Sequence, residues 1–272
     1  MTWVLRHRFA QVLILYFVFL LVWWAWLNVS GNTNTEISYW YGAAYPVIAL
    51  AGGIGGLLLS RKWGGWKSIM GRGIIFLALG LLGQAFGQFT WTFFNLVLQV
   101  EVPYPSIADI GYLSIIPFYS LAMVNFARAS GVHLSLRSYM SKLQAVIVPV
   151  VMLIFSYVLF LRDYEFDFSS PVRILLDFGY PMGEAIIIST AILTLWLSRS
   201  YLGGLMKPKI RYIIFAFFVL YITDYAFLYQ ASRDTYVNGG IVDLLYTASF
   251  LIMSIGLIVV STLESFRESQ SQ

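Results

Sequence analysis

PYPSIADIGYLSIIP, residues Pro103–Pro117, decides how the rest of the chain is read. Two prolines bracket Ser106-x-x-Asp109, the pattern of a helix start. Ser106 can cap the first free amides, and Asp109 falls where the helix dipole favours negative charge. An apolar run follows from Ile107 to Ala129, with Pro117 inside it. A run of about 20 apolar residues is long enough to cross a bilayer as a helix. The stretch therefore predicts a carboxylate standing at the mouth of a membrane span.

The rest of the chain has the composition such spans require. Of 272 residues, 59% are hydrophobic and 11% charged, against about a quarter charged in soluble domains. The expected fold is an all-α polytopic membrane helix bundle, a single integral domain over residues 1–272 in contact with the lipid bilayer. Eight spans can be drawn, at Phe9–Val29, Ala43–Leu59, Gly73–Leu98, Ile107–Ala129, Leu143–Leu161, Val172–Leu197, Ile210–Gln230 and Ile241–Leu263. The first follows Arg6, His7 and Arg8 without an evident small-x-small cleavage site, and reads as an uncleaved span. Short connections predict antiparallel hairpins.

Orientation follows from the basic residues. Fourteen of the 17 Lys and Arg fall on one side of the spans, and only Arg162, Arg173 and Arg233 on the other. Both termini are then expected in the cytoplasm of a cell whose plasma membrane the chain spans. The net charge of +4 is accounted for by these loops and calls for no nucleic-acid partner. Trp23, Trp24, Trp26, Trp40 and Trp91 fall near the expected outer interface, and Trp63, Trp66 and Trp196 near the inner one.

Gly52, Gly53, Gly55 and Gly56 in the second span, and Gly80, Gly83 and Gly87 in the third, read as close helix contacts. Pro117, Pro149 and Pro181 lie within spans and predict kinks. Tyr-Pro recurs at Tyr45-Pro46, Tyr104-Pro105 and Tyr180-Pro181, near the same end of even-numbered spans. Asp243-x-x-Tyr246 in the last span echoes Asp109-x-x-Tyr112 in the fourth. The expected organisation is four pseudo-repeated hairpins, with chance similarity among apolar segments as the competing explanation.

Five of the 13 acids lie in or at the ends of spans: Asp109, Asp177, Glu184, Asp224 and Asp243. All map to the expected outer half. An acid exposed to lipid costs at least about 2.5 kcal/mol, so such groups face the bundle interior or a water-filled cavity. With Gln84, Gln88, Tyr112 and Tyr246 they make a candidate ligand or cation site in an outward-facing acidic and aromatic chamber. The plainer alternative keeps Asp109 and Asp243 as dipole-favoured helix starts, and Asp177, Glu184 and Asp224 as hydrogen-bonded glue.

Several chemistries are disfavoured. There is no Cys, hence no disulfide, thiol nucleophile or thiolate metal site. No Lys lies mid-span to carry a retinal Schiff base, and His7 and His133 fall on the inner side, away from any haem within the bundle. No cofactor and no metal constellation is expected, and no nucleophile–base pair is evident, so the chain reads as a non-enzyme.

From Gly80 to Tyr119 the sequence resembles the multi-helix N-terminal membrane sensor regions of bacterial diguanylate cyclases and histidine kinases. The shared pattern is Pro103, Tyr104, Pro105, Ser106, Ala108, Asp109, Tyr112, Leu113 and Pro117. Weaker similarity continues through Asp177–Glu184 and through Gly239, Gly240, Asp243 and Tyr246. The resemblance implies a prokaryotic sensor that receives an unidentified small ligand and passes a signal inward. The chain departs from that pattern in lacking an output domain, which implies signalling through a cytoplasmic partner or a homodimer. The alternative is a small proton- or cation-coupled secondary transporter, drawing on the same acids, prolines and repeats.

Overall fold

The computed structural model describes residues 7–132, 136–162, 164–198 and 206–261. All regular structure among them is helical: α1 (Arg8–Val29), α2 (Glu36–Ala44), α3 (Pro46–Ser60), α4 (Ile69–Phe93), α5 (Ala108–Ala129), α6 (Tyr139–Ser156), α7 (Pro171–Leu197), α8 (Met206–Ala231) and α9 (Ile241–Ser261). Counting α2 and α3 together, eight helices are long and apolar enough to cross a membrane. The predicted end of the last span at Leu263, the tail Glu264–Arg267, His133 and Asp163 lie outside the described residues.

The second span begins at Glu36, earlier than the predicted Ala43. Its first turns are polar, and a capping box between Thr35 and Ser38 starts the helix where hydropathy gives no signal. Pro46 brings no N–H, and it opens a new helix as its first residue. At the break between α2 and α3 the Ala44 carbonyl accepts a bond of 3.0 Å from the Tyr16 hydroxyl of α1. The expected cap at Ser106–Asp109 is made reciprocally. Ser106 Oγ accepts from the Ala108 amide at 3.2 Å, and Asp109 accepts from the Ser106 amide at 2.6 Å. The α4 and α6 spans each finish in a π turn, Phe94–Leu98 and Tyr157–Leu161.

Six helices pack in a closed ring, in the order α3, α4, α5, α7, α8, α9 and back to α3. The other two spans lie outside it, α1 against α9 and α6 against α7. These two are the least buried of the spans, as outer helices facing lipid should be. Inside the ring, Tyr119, Phe126, Phe217 and Phe250 are fully buried.

The glycines expected at helix contacts are there. A Cβ on Gly52 would strike Ser254 of α9, and one on Gly53 would strike Leu82 of α4. The tightest crossing is α4 on α5. A Cβ on Gly111 would stand 2.6 Å from both the Gly83 carbonyl oxygen and the Gly87 amide nitrogen, which are backbone atoms with nowhere to move. Gly179 of α7 meets nothing nearer than Leu113 at 3.5 Å.

Gly111→Ala should therefore lower stability by about 1–3 kcal/mol, as overpacking does. Gly179→Ala should be neutral or stabilising by up to about 1 kcal/mol, because alanine is the better helix former. Thermal unfolding of the detergent-solubilised chain measures both, and equal effects would contradict the crossing described.

Candidate functional site

The acids at the loop-bearing ends of the spans are met by tyrosines. Asp109, in the first turn of α5, accepts a bond of 2.5 Å from Tyr180 of α7. Asp177 of α7 accepts bonds of 2.6 Å from Tyr104 and 2.8 Å from Tyr164, and lies 3.8 Å from Arg173. Burial, and then the Asp177 carboxylate, push the Tyr104 hydroxyl above its ordinary range, so it stays a neutral donor. Arg173 also lies over the Tyr104 ring, 5.7 Å from its centroid. Asp177 is thus tied into the loops that precede α5 and α7.

At the opposite side of the ring, Asp243 opens α9. It accepts 2.7 Å bonds from Tyr236 and from the Gly239 amide. Burial and the neighbouring Asp243 charge raise the Tyr236 hydroxyl well above its usual range. Gly239 has φ of 80°, and a Cβ there would lie 2.9 Å from Ser38, so the turn needs glycine on both counts. The turn is pinned to α1 as well, since Trp24 and Asn28 donate to the Gly240 and Gly239 carbonyls at 2.9 and 3.0 Å.

Deeper in the ring, Tyr246 of α9 donates to Asp224 of α8 at 2.8 Å, and Tyr112 of α5 donates to Gln88 of α4 at the same distance. Glu184 of α7 and Asp224 are both buried and are electrostatic neighbours. Tyr119, Tyr225 and Tyr246 lie in electrostatic range of Glu184. Asp224 Oδ2, Gln84 Nε2 and the Tyr119 hydroxyl are buried there without a hydrogen-bond partner. Desolvating two acids costs several kcal/mol apiece unless a proton, a cation or water meets them.

The nine residues predicted from sequence divide accordingly. The structure brings Glu184, Asp224 and Tyr246 together. It pairs Tyr112 with Gln88, and Tyr112 is in electrostatic range of Asp109, Asp224 and Asp243. Gln84 is buried in α4. Asp177 stands apart from Glu184 in its role, although the two share α7: it holds loops, while Glu184 faces the ring interior.

None of the nine lines the cavity of about 700 Å³ that opens among the loops. That cavity is built from three segments distant in sequence. Asn34, Glu36 and Tyr39 come from the start of α2; Trp91, Asn95 and Glu101 from the end of α4 and beyond; and Phe227, Asp234, Tyr236 and Asn238 from the end of α8 and the turn that leads to α9. Asn34 and Asn238 fasten the first segment to the third, the Asn238 amide donating to Asn34 Oδ1 at 2.8 Å and the Asn34 amide to the Asn238 carbonyl at 3.0 Å. Sequence reasoning missed this grouping. A signal was present in the acids Glu36, Glu101 and Asp234, which all fall between the apolar runs, on the side expected to face outward.

No family model, curated protein or solved structure matches this chain. The site therefore has to be read from its own geometry.

The Tyr246–Asp224 bond should carry a measurable coupling. A double-mutant cycle of Tyr246→Phe with Asp224→Asn is expected to give about 0.5–3 kcal/mol of interaction energy in unfolding experiments. The same cycle with the distant Tyr164→Phe in place of Tyr246→Phe should be additive within about 0.5 kcal/mol.

Proposed function

We propose that the chain is a non-enzymatic sensor or receptor-like module of a prokaryotic plasma membrane. Its acidic end faces outward, both termini lie in the cytoplasm, and it acts through a cytoplasmic partner or a second copy. The observation that carries the reading is the double role of Tyr236. Its ring lines the cavity, and its hydroxyl holds Asp243 at the first turn of α9. An occupant that shifts Tyr236 therefore acts on the helix that runs to the opposite end of the bundle. Such a shift biases the helix only where the occupant binds two arrangements unequally.

The contacts also support a repeat, one of four spans rather than two. The ring order is unchanged when each span is exchanged for the one four places on: α3–α4–α5 answers to α7–α8–α9, and α5–α7 to α9–α3. The excluded spans, α1 and α6, also stand four places apart, although they dock on members that do not correspond, α9 and α7. Tyr112–Gln88 corresponds to Tyr246–Asp224. Tyr180 on Asp109 corresponds to Tyr45, which faces the Asp243 carboxyl at electrostatic range. In this reading the halves are unequal where it matters, since Gln88 stands in one half where Asp224 stands in the other.

The buried Glu184–Asp224 pair favours a second reading, a proton- or cation-coupled transporter. The two separate in liposomes. A sensor should give no proton or cation flux above that of empty vesicles, and flux abolished by Asp224→Asn would establish transport instead.

The relay can be tested without knowing the occupant. Amide exchange in lipid nanodiscs, compared between the wild-type chain and Tyr236→Phe, should change both in residues 232–240 and in the last turns of α9. A change confined to the loop would remove the sensor reading.

The orientation has its own test, helped by the absence of native cysteine. A cysteine placed at Ser232 should react with an impermeant maleimide on intact cells. One placed at Ser138 should react only after permeabilisation.

A further inference from the structure

We infer that the cavity between the α1–α2 turn, the end of α4 and the α8–α9 turn is a binding site for a small organic ammonium compound. The inference rests on the receptor reading for its biological sense, but its chemistry stands on the cavity alone. At about 700 Å³ the cavity has the size of a small-molecule site. Among the described residues no Lys or Arg lines it, whereas Glu36, Glu101 and Asp234 do, and all three are solvent-exposed. An anion would meet three like charges there, and a cation three attractive ones.

The lining also holds an aromatic cluster. Trp91, Phe227 and Tyr236 contact one another edge to face, with centroids 5.1–6.3 Å apart and interplanar angles of 79–90°. All three line the cavity, and the faces of aromatic rings carry the negative lobe of the quadrupole that attracts ammonium groups. Carboxylates and aromatic rings are the two elements by which quaternary and protonated amines are held, and this lining has both. The same loop already makes such a contact internally. Arg233, next to Asp234 in sequence, lies 3.7 Å from the Tyr229 ring centroid.

The backbone around the cavity is irregular. Among the described residues, the three non-glycine positions with positive φ are Asn34, Gln99 and Asp234, at 53–55°, and all three line this cavity. Non-glycine residues in that region cost about 1–3 kcal/mol and persist where the surroundings fix them, most often at binding sites. Asn95 and Leu96 come from the π turn after α4, another irregularity that collects at functional sites.

An ammonium group could come from a free amine or from a lipid headgroup, and the experiment distinguishes the two. The full chain is placed in nanodiscs of phosphatidylglycerol, which carries no amine, and titrated calorimetrically with choline, putrescine and spermidine. Glucose and inorganic phosphate serve as neutral and anionic controls. At least one amine should bind saturably. Its affinity should fall at least tenfold in the triple variant Glu36→Gln/Glu101→Gln/Asp234→Asn and in Trp91→Leu. The triple variant changes only exposed side chains, and its circular dichroism and melting should match the wild type. Adding phosphatidylethanolamine then identifies the source: competition marks a headgroup amine, and unchanged binding a free one. No saturable binding of any amine below about 10 mM, equal binding by the triple variant, or equal binding of glucose would each overturn the inference. The outcomes remain separable from those of the relay. Amine binding without a change in α9 exchange keeps the site and removes the sensor, whereas absent binding leaves the Tyr236→Phe result to stand by itself.

Discussion

A carboxyl group inside a lipid-facing bundle has no bulk water to solvate it, and leaving it bare costs several kcal/mol. In this chain the tyrosine hydroxyl takes the place of that water. Tyr180 serves Asp109, Tyr104 and Tyr164 serve Asp177, Tyr246 serves Asp224, and Tyr236 serves Asp243. Each bond joins residues from different helices or from a loop and a helix, so the same contacts that solvate the acids also fix which elements are neighbours. The acids are in this sense structural. The second oxygen of Asp224 is the exception, buried without a hydrogen-bond partner beside the buried Glu184.

The division bears on where a ligand could act. Acids already satisfied by tyrosine are poor places for an occupant to compete, because displacing a good internal bond returns little. The loop cavity differs, with exposed acids and the aromatic side chains of Trp91, Phe227 and Tyr236 in its lining. It touches the buried network through Tyr236, which belongs to both, and through Phe227, whose ring packs on Tyr246. The receptor reading asks only that an occupant of the first disturb the second.

The sequence made some of this legible. Eight spans followed from uninterrupted apolar runs, since backbone polar groups in lipid must be satisfied within helices. The Ser106–Asp109 cap could be read because its partners are three residues apart. The close glycines could be read because small residues in a span have few other uses. The start of the second span at Glu36 was hidden by its polar first turn. The acids could be placed in spans, but not their partners: Tyr180 is 71 residues from Asp109. The loop cavity was the least legible part. Its closing pair, Asn34 and Asn238, is 204 residues apart, and nothing in local periodicity joins them.

The ring closes on itself because α9 packs against α3 as well as α8. An open row of helices has a loose end, and a tilt of one member can be dissipated there. A closed circuit has none. Any member that leans must push on both flanks at once, and the accommodation has to travel around the circle or out to lipid. The two spans left outside, α1 and α6, brace it at two separate points, α9 and α7. The ring helices also carry exposed apolar side chains, among them Leu58, Phe86, Leu121 and Phe215, so bilayer thickness and lateral pressure bear on the circuit both directly and through those two braces, independently of anything that enters from the aqueous side.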